Sequence, residues 1–224
     1  MNNFAKIIQD FCSSKLSPLE TVLPLHILGT QQRPQERPLS NAQLIALLPP
    51  RADAEVLLQH YTERISWMFH VIHTPTVMAQ SECIYTALSD QRMPSLSHLA
   101  LMCAMLASSN YFSTPAPNLH SKAENSNDLS GKWTSLALIA LSESDYLNNP
   151  TIESIQAMII LTHALSNPRG AALWSGIIVN LGHCMRLHQL DSRKNQTHRV
   201  NSETDAVDLE IKRRVWWHIA SSDW

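Results

Sequence analysis

Apolar residues recur along most of this chain at spacings of three and four, the period of one face of an α-helix. Asn41 is placed to cap a short helix carrying Leu44, Ile45, Leu47 and Leu48. Pro49-Pro50 ends it, because proline supplies no amide and restricts the residue before it. A second helix, opening at Arg51 or Asp53, bears Val56, Leu57, Tyr61, Ile65 and Met68. Pro75 forces an extended approach to a third, expected from about Thr76 to Leu88. Pro94 with Ser95 or Ser97 announces a helix through Leu99, Met102, Cys103, Leu106 and Ala107. It is apolar almost all round and therefore central. Trp133, Leu136, Ala137, Ala140, Leu141 and Leu147 form the next stripe, which stops at Asn148-Asn149-Pro150. Pro150 is placed as the first residue of a helix bearing Ile152, Ile155, Met158, Ile159, Thr162 and Leu165. After Asn167-Pro168-Arg169-Gly170 the period resumes with Leu173, Trp174, Ile177, Ile178, Leu181, Met185 and Leu187. Gly176 and Gly182 within that run cost ~1 kcal/mol each against alanine, which implies a close neighbouring helix.

The last stretch is the richest. Val207, Ile211, Val215 and Ile219 fall four apart, while Trp217, Ala220 and Trp224 make an adjoining stripe, so a wide buried face including Trp217 is expected. Ser202 and Asp205 give a capping-box-like start, and Glu203 and Asp205 sit where the helix dipole favours anions. Glu210 lies one turn before Arg213 and Arg214. On charge alone, Lys212, Arg213 and Arg214 read as a solvated, salt-bridged face.

Three stretches break the pattern. Phe4 to Phe11 would make a short amphipathic helix, and Gly29 to Leu39 has the polar, proline-punctuated composition of a linker. Residues 1–41 are thus an irregular N-terminal segment, and the ordered domain is expected over residues 42–224. Ser113 to Gly131 reads as a long surface loop, and Asp191 to Asn201 as a second polar loop. The expected fold is all-α, a bundle of about seven or eight helices with short proline-marked turns, two longer polar loops and no sheet.

Composition narrows the chemistry. With 224 residues, 44% of them hydrophobic and 16% charged, the chain buries one sizeable core. A formal charge of -2 gives no overall attraction to DNA or an anionic membrane. No apolar run reaches the ~18 residues of a membrane span. Five scattered glycines build neither a phosphate loop nor a dinucleotide fingerprint. Cys12, Cys83, Cys103 and Cys184 stand far apart, as reduced thiols do. Among the 11 histidines, His70 and His73 straddle a proline turn, and His183 and His188, five apart, would face different sides of one helix. No metal site, cofactor or catalytic set is expected, since Asp90, Asp145 and Asp191 are isolated and no G-x-S-x-G elbow occurs.

Glu210, Arg213, Arg214, Trp216, Trp217 and Asp223 together resemble the signature of the fungal-specific transcription factor domain, the middle homology region of fungal zinc-cluster transcription factors. Upstream segments resemble it in the same order. They are the double proline and tyrosine–tryptophan helix before His73-Thr74-Pro75, then Pro150, Glu153, Ser154, Gln156 and Ala157, then Leu187-His188. The resemblance covers Ala42 to Trp224, with Val77 where a phenylalanine is common. It implies a regulatory domain, non-enzymatic and nuclear, that controls transcription through a small-molecule effector or through a transcription-factor or co-regulator protein. The family's six-cysteine zinc cluster has no counterpart before Ala42, which argues against direct DNA contact, and the family domain normally continues past the tryptophan helix. A shortened, C-terminally truncated member is therefore expected, with an apolar end that predicts self-association or marginal stability. Two other readings stay open: a helical enzyme without a local motif, and a helical protein-interaction scaffold.

Overall fold

A computed structural model describes residues 39–112, 120–162, 168–192 and 203–222. Among these residues the chain forms eight α-helices and no strand, the all-α bundle that the periodicity predicts. The helices are α1 (Asn41–Leu47), α2 (Arg51–Arg64), α3 (Thr74–Ser89), α4 (Leu96–Phe112), α5 (His120–Glu143), α6 (Ile152–Leu161), α7 (Pro168–Cys184) and α8 (Glu203–Ser222). The expected Phe4 to Phe11 helix and most of the linker lie outside the described residues, as do Ser202, Asp223 and Trp224.

α4 is the hub. Twelve of its 17 residues are buried, as a helix apolar all round requires, and α5, α6 and α2 surround it. Most polar groups that enter this core find partners, the Tyr61 hydroxyl being an exception among the described residues. His60 Nδ1 lies 2.8 Å from the buried Ser109 hydroxyl. Trp133 Nε1–H donates to the Leu47 carbonyl at 3.2 Å, Tyr85 to that of Pro49 at 2.9 Å, and Trp174 Nε1–H to that of Met158 at 2.8 Å.

Helix ends depart from the sequence expectations in instructive ways. Ser40, not Asn41, caps α1, because the Gln43 side chain can reach back to the Ser40 amide and complete a capping box. α3 begins at Thr74 and includes Pro75 in its first turn, where no amide is needed. Pro150 precedes its helix: the Thr151 hydroxyl accepts the Ser154 amide at 3.1 Å and so becomes the cap of α6. The expected loop from Ser113 to Gly131 is helical from His120 onward. Trp133, Leu136, Ala137, Ala140 and Leu141 dock α5 on α4, and a docked helix propagates into polar residues that would not nucleate one. Among the described residues four non-glycine residues after helical segments take the left-handed conformation, His70, Gln91, Asp145 and Arg186.

Candidate functional site

α8 carries most of the signature residues, and its phase decides what each can do. Ile211, Val215 and Ile219 are buried, so one stripe of the expected face is correct. Trp216 is turned about 100° from Val215 and flanks this stripe half-buried, its ring against the end of α7. Its centroid lies 5.3 Å from that of His183 and 5.7 Å from that of His188. Gly182 makes room for this packing: a Cβ there would meet Ile219 Cδ1 at 3.0 Å and the Trp216 ring at 3.6 Å. The close approach expected at Gly176 does not occur, for nothing lies within 4 Å of a Cβ there.

Trp217 corrects the expected phase. It lies about 200° from Val215 and is 71% exposed, on the crest opposite the docked stripe. Apolarity alone mis-sorted the two adjacent indoles, whereas the angle from Val215 separates them.

The basic residues are engaged in pairs. Arg213 donates to both oxygens of Asp191, from Nε at 2.9 and 3.1 Å and from Nη2 at 2.5 Å. These bonds hold the Asp191 carboxyl below the usual carboxylate range. Arg214 bonds Glu210 at 2.9 Å, and Lys212 bonds Asp208 at 2.5 Å. The salt-bridged reading of this face is thus correct, with Asp191, from the polar stretch before α8, as a partner that no local spacing indicates.

Two grooves run beside α8. The first, ≈ 310 Å³, lies between α3 (Thr76, Val77, Gln80), α6 (Ile152, Glu153, Gln156) and the first turns of α8 (Thr204, Asp205, Val207, Asp208, Ile211), with His73 at its edge. Its apolar residues are Val77, Ile152, Val207 and Ile211; its polar groups are ordered. Glu153 accepts from Gln80 Nε2 at 3.3 Å and lies 3.7 Å from His98 Nε2, while His73 Nδ1 lies 2.8 Å from the Thr76 hydroxyl. Gln156, nearly fully buried, donates to the Val71 carbonyl and ties α6 to the approach of α3. The second groove, ≈ 250 Å³, is lined by Ser66, His70, Ile72, His73, Thr74, Pro75 and Arg214. Next to it His218 meets Phe69 edge-on at 5.7 Å, and burial lowers the affinity of its imidazole for a proton. A larger trough of ≈ 440 Å³ beside Pro49 and Pro50 has its polar groups already committed, Arg51 to Glu82 at 2.6 Å and Tyr85 to Pro49.

Family-like residues on α6 acquire distinct roles. Glu153 lines the groove, Ser154 is buried within the Thr151 cap, and Gln156 is a structural tie. Burial pushes the Cys103 thiol up, and among the described residues no three His, Cys, Asp or Glu side chains converge as a metal set. The expected separation of His183 and His188 is also corrected. α7 ends at Cys184 and Arg186 reverses the chain at φ 57°, so the two Nδ1 atoms come to 3.2 Å. Among the described residues no helix is long and apolar enough to cross a membrane.

Comparison with known proteins adds a lineage to this geometry. The profile of the Fungal specific transcription factor domain matches residues 58–221. The Agnestins biosynthesis cluster transcription factor AgnL11 of Paecilomyces divaricatus is 32% identical, over 100% of this chain and 31% of its own length. The Probable transcription factor lepB of Aspergillus flavus is 32% identical over 79% of this chain and 33% of its own. Transcription factor TAS2 of Pyricularia oryzae is 24% identical over 79% of this chain and 24% of its own. The chain spans about a third or less of the length of these curated relatives. No solved structure matches it.

Proposed function

Because this chain belongs to the fungal-specific transcription factor domain family, we propose that it is a regulatory part of a fungal transcription regulator, acting in the nucleus through an effector or protein partner. The observation that carries this reading is the extent of the family match, which runs from within α2 to the end of α8 and includes all three helices that wall the ≈ 310 Å³ groove. A small molecule or peptide segment in that groove touches α3, α6 and α8 at once. Binding there favours whichever arrangement of α8 closes best on the ligand, and differential affinity for two arrangements is all that ligand control requires.

The reading assigns no catalytic step and no cofactor to these residues. Nor does it assign them DNA contact, since Lys212, Arg213 and Arg214 each already hold a carboxylate. Genes of a biosynthesis cluster are the target class suggested by the name of the Paecilomyces divaricatus relative, which aligns with 100% of the chain.

A tethering experiment tests the proposal. The chain is fused to an unrelated DNA-binding module in a fungal cell, and transcription of a reporter is read. Output is expected to differ from that of the module alone, and the difference to vanish in Val215→Asp, which places a charge under α8. Output equal to that of the module alone would sink the reading.

A further inference from the structure

We propose that His183 and His188 form a binding site for a divalent d-block cation of the zinc and copper class, at the junction of α7 with α8. Both side chains are exposed, and their Nδ1 atoms are 3.2 Å apart with ring centroids 4.6 Å apart. The left-handed turn at Arg186 brings them together. A zinc ion binds imidazole nitrogen at about 2.0–2.1 Å, so two nitrogens on one tetrahedral ion lie about 3.3–3.4 Å apart. The observed separation needs only a slight rotation of two exposed rings to match that edge.

In the metal-free pair one Nδ1 donates and the other accepts. The ion takes the lone pairs of both Nδ1 atoms, and the displaced proton is carried on Nε2 of the same ring, so both imidazoles stay neutral and no net proton is released. No third side chain among the described residues completes the set, which leaves the other coordination positions to water. Such an open site exchanges its ion readily. Imidazole donors suit copper and zinc and are poor ligands for magnesium or calcium, and copper binds more tightly than zinc. Trp216 packs against both rings, so an ion that fixes them also fixes the seat of α8. The site is independent of the transcriptional reading.

Zinc titration of the purified chain by calorimetry, with copper quenching of tryptophan fluorescence alongside, tests the proposal. One zinc equivalent is expected, weakened at least about tenfold in both His183→Ala and His188→Ala and retained in His70→Asn, a histidine outside the pair. Copper should quench the wild-type chain, and each pair variant should lose part of that quenching; magnesium should do neither. Circular dichroism and melting confirm that each variant folds, and His188→Gln replaces His188→Ala if it does not. Equal zinc affinity in all variants, or no zinc bound by the wild-type chain, overturns the proposal.

Discussion

Removing the side chain of Ile219 tests the docking of α8 most simply, because Ile219 is 2% exposed whereas Trp217, two residues earlier, is 71% exposed. Ile219→Ala deletes three buried carbons, worth about 2.4 kcal/mol at ~0.8 kcal/mol each. The unfilled space beside Gly182 adds a cavity cost, for a total of about 2.5–4 kcal/mol. Trp217→Ala deletes a far larger side chain that the bundle barely touches, and its cost should stay within about 1 kcal/mol. Had the stripe bearing Trp217 been buried as the sequence pattern predicts, the same substitution would cost about 3–5 kcal/mol. Urea unfolding followed by far-ultraviolet circular dichroism gives both values. A loss above about 3 kcal/mol for Trp217→Ala, with Ile219→Ala below about 1, would mean that α8 is rotated from the phase described.

Three further substitutions probe single interactions. Gln156→Met removes the donor to the buried Val71 carbonyl and should cost about 1–3 kcal/mol; a urea midpoint close to wild type would show that this carbonyl has another partner. Among the described residues the buried Tyr61 hydroxyl finds no hydrogen-bond partner, so Tyr61→Phe should leave stability unchanged or raise it by about 1 kcal/mol, and a clear loss on thermal melting would contradict that. Burial lowers the pKa of His218 below its ordinary 6.5, so the unfolded chain binds more protons over that interval. The His218 contribution is therefore complete above the ordinary value and is lost as pH falls from there through the folded value. His218→Phe should flatten the decline in stability as the pH falls below the ordinary value, and an unchanged slope would remove His218 from the explanation.

The helices were legible because burial imposes a period that any core-facing helix must obey. α4 is the clearest case: an all-round apolar run can only be central. The α8 stripe of Ile211, Val215 and Ile219 was legible for the same reason. Trp217 was not, since an indole is apolar whether or not a neighbour covers it, and only the packed bundle shows where the neighbours stop. The start of α5 was hidden because its helicity comes from docking on α4 and not from the propensity of a serine- and asparagine-rich stretch. The candidate site was the least legible part. Its groove joins residues of α3, α6 and α8, the Asp191–Arg213 bond spans 22 residues, and the His183–His188 approach depends on one left-handed residue. None of these leaves a local spacing to read.

The most direct test of the proposed control point is to fill the ≈ 310 Å³ groove without disturbing the core. Val207 is only half-buried at its wall, so Val207→Trp should occupy the space while melting like the wild-type chain. Tethered to the reporter, this variant should give an output that no longer follows the growth conditions that move the wild-type output. A folded Val207→Trp chain that still tracks those conditions as the wild type does would contradict control through this groove.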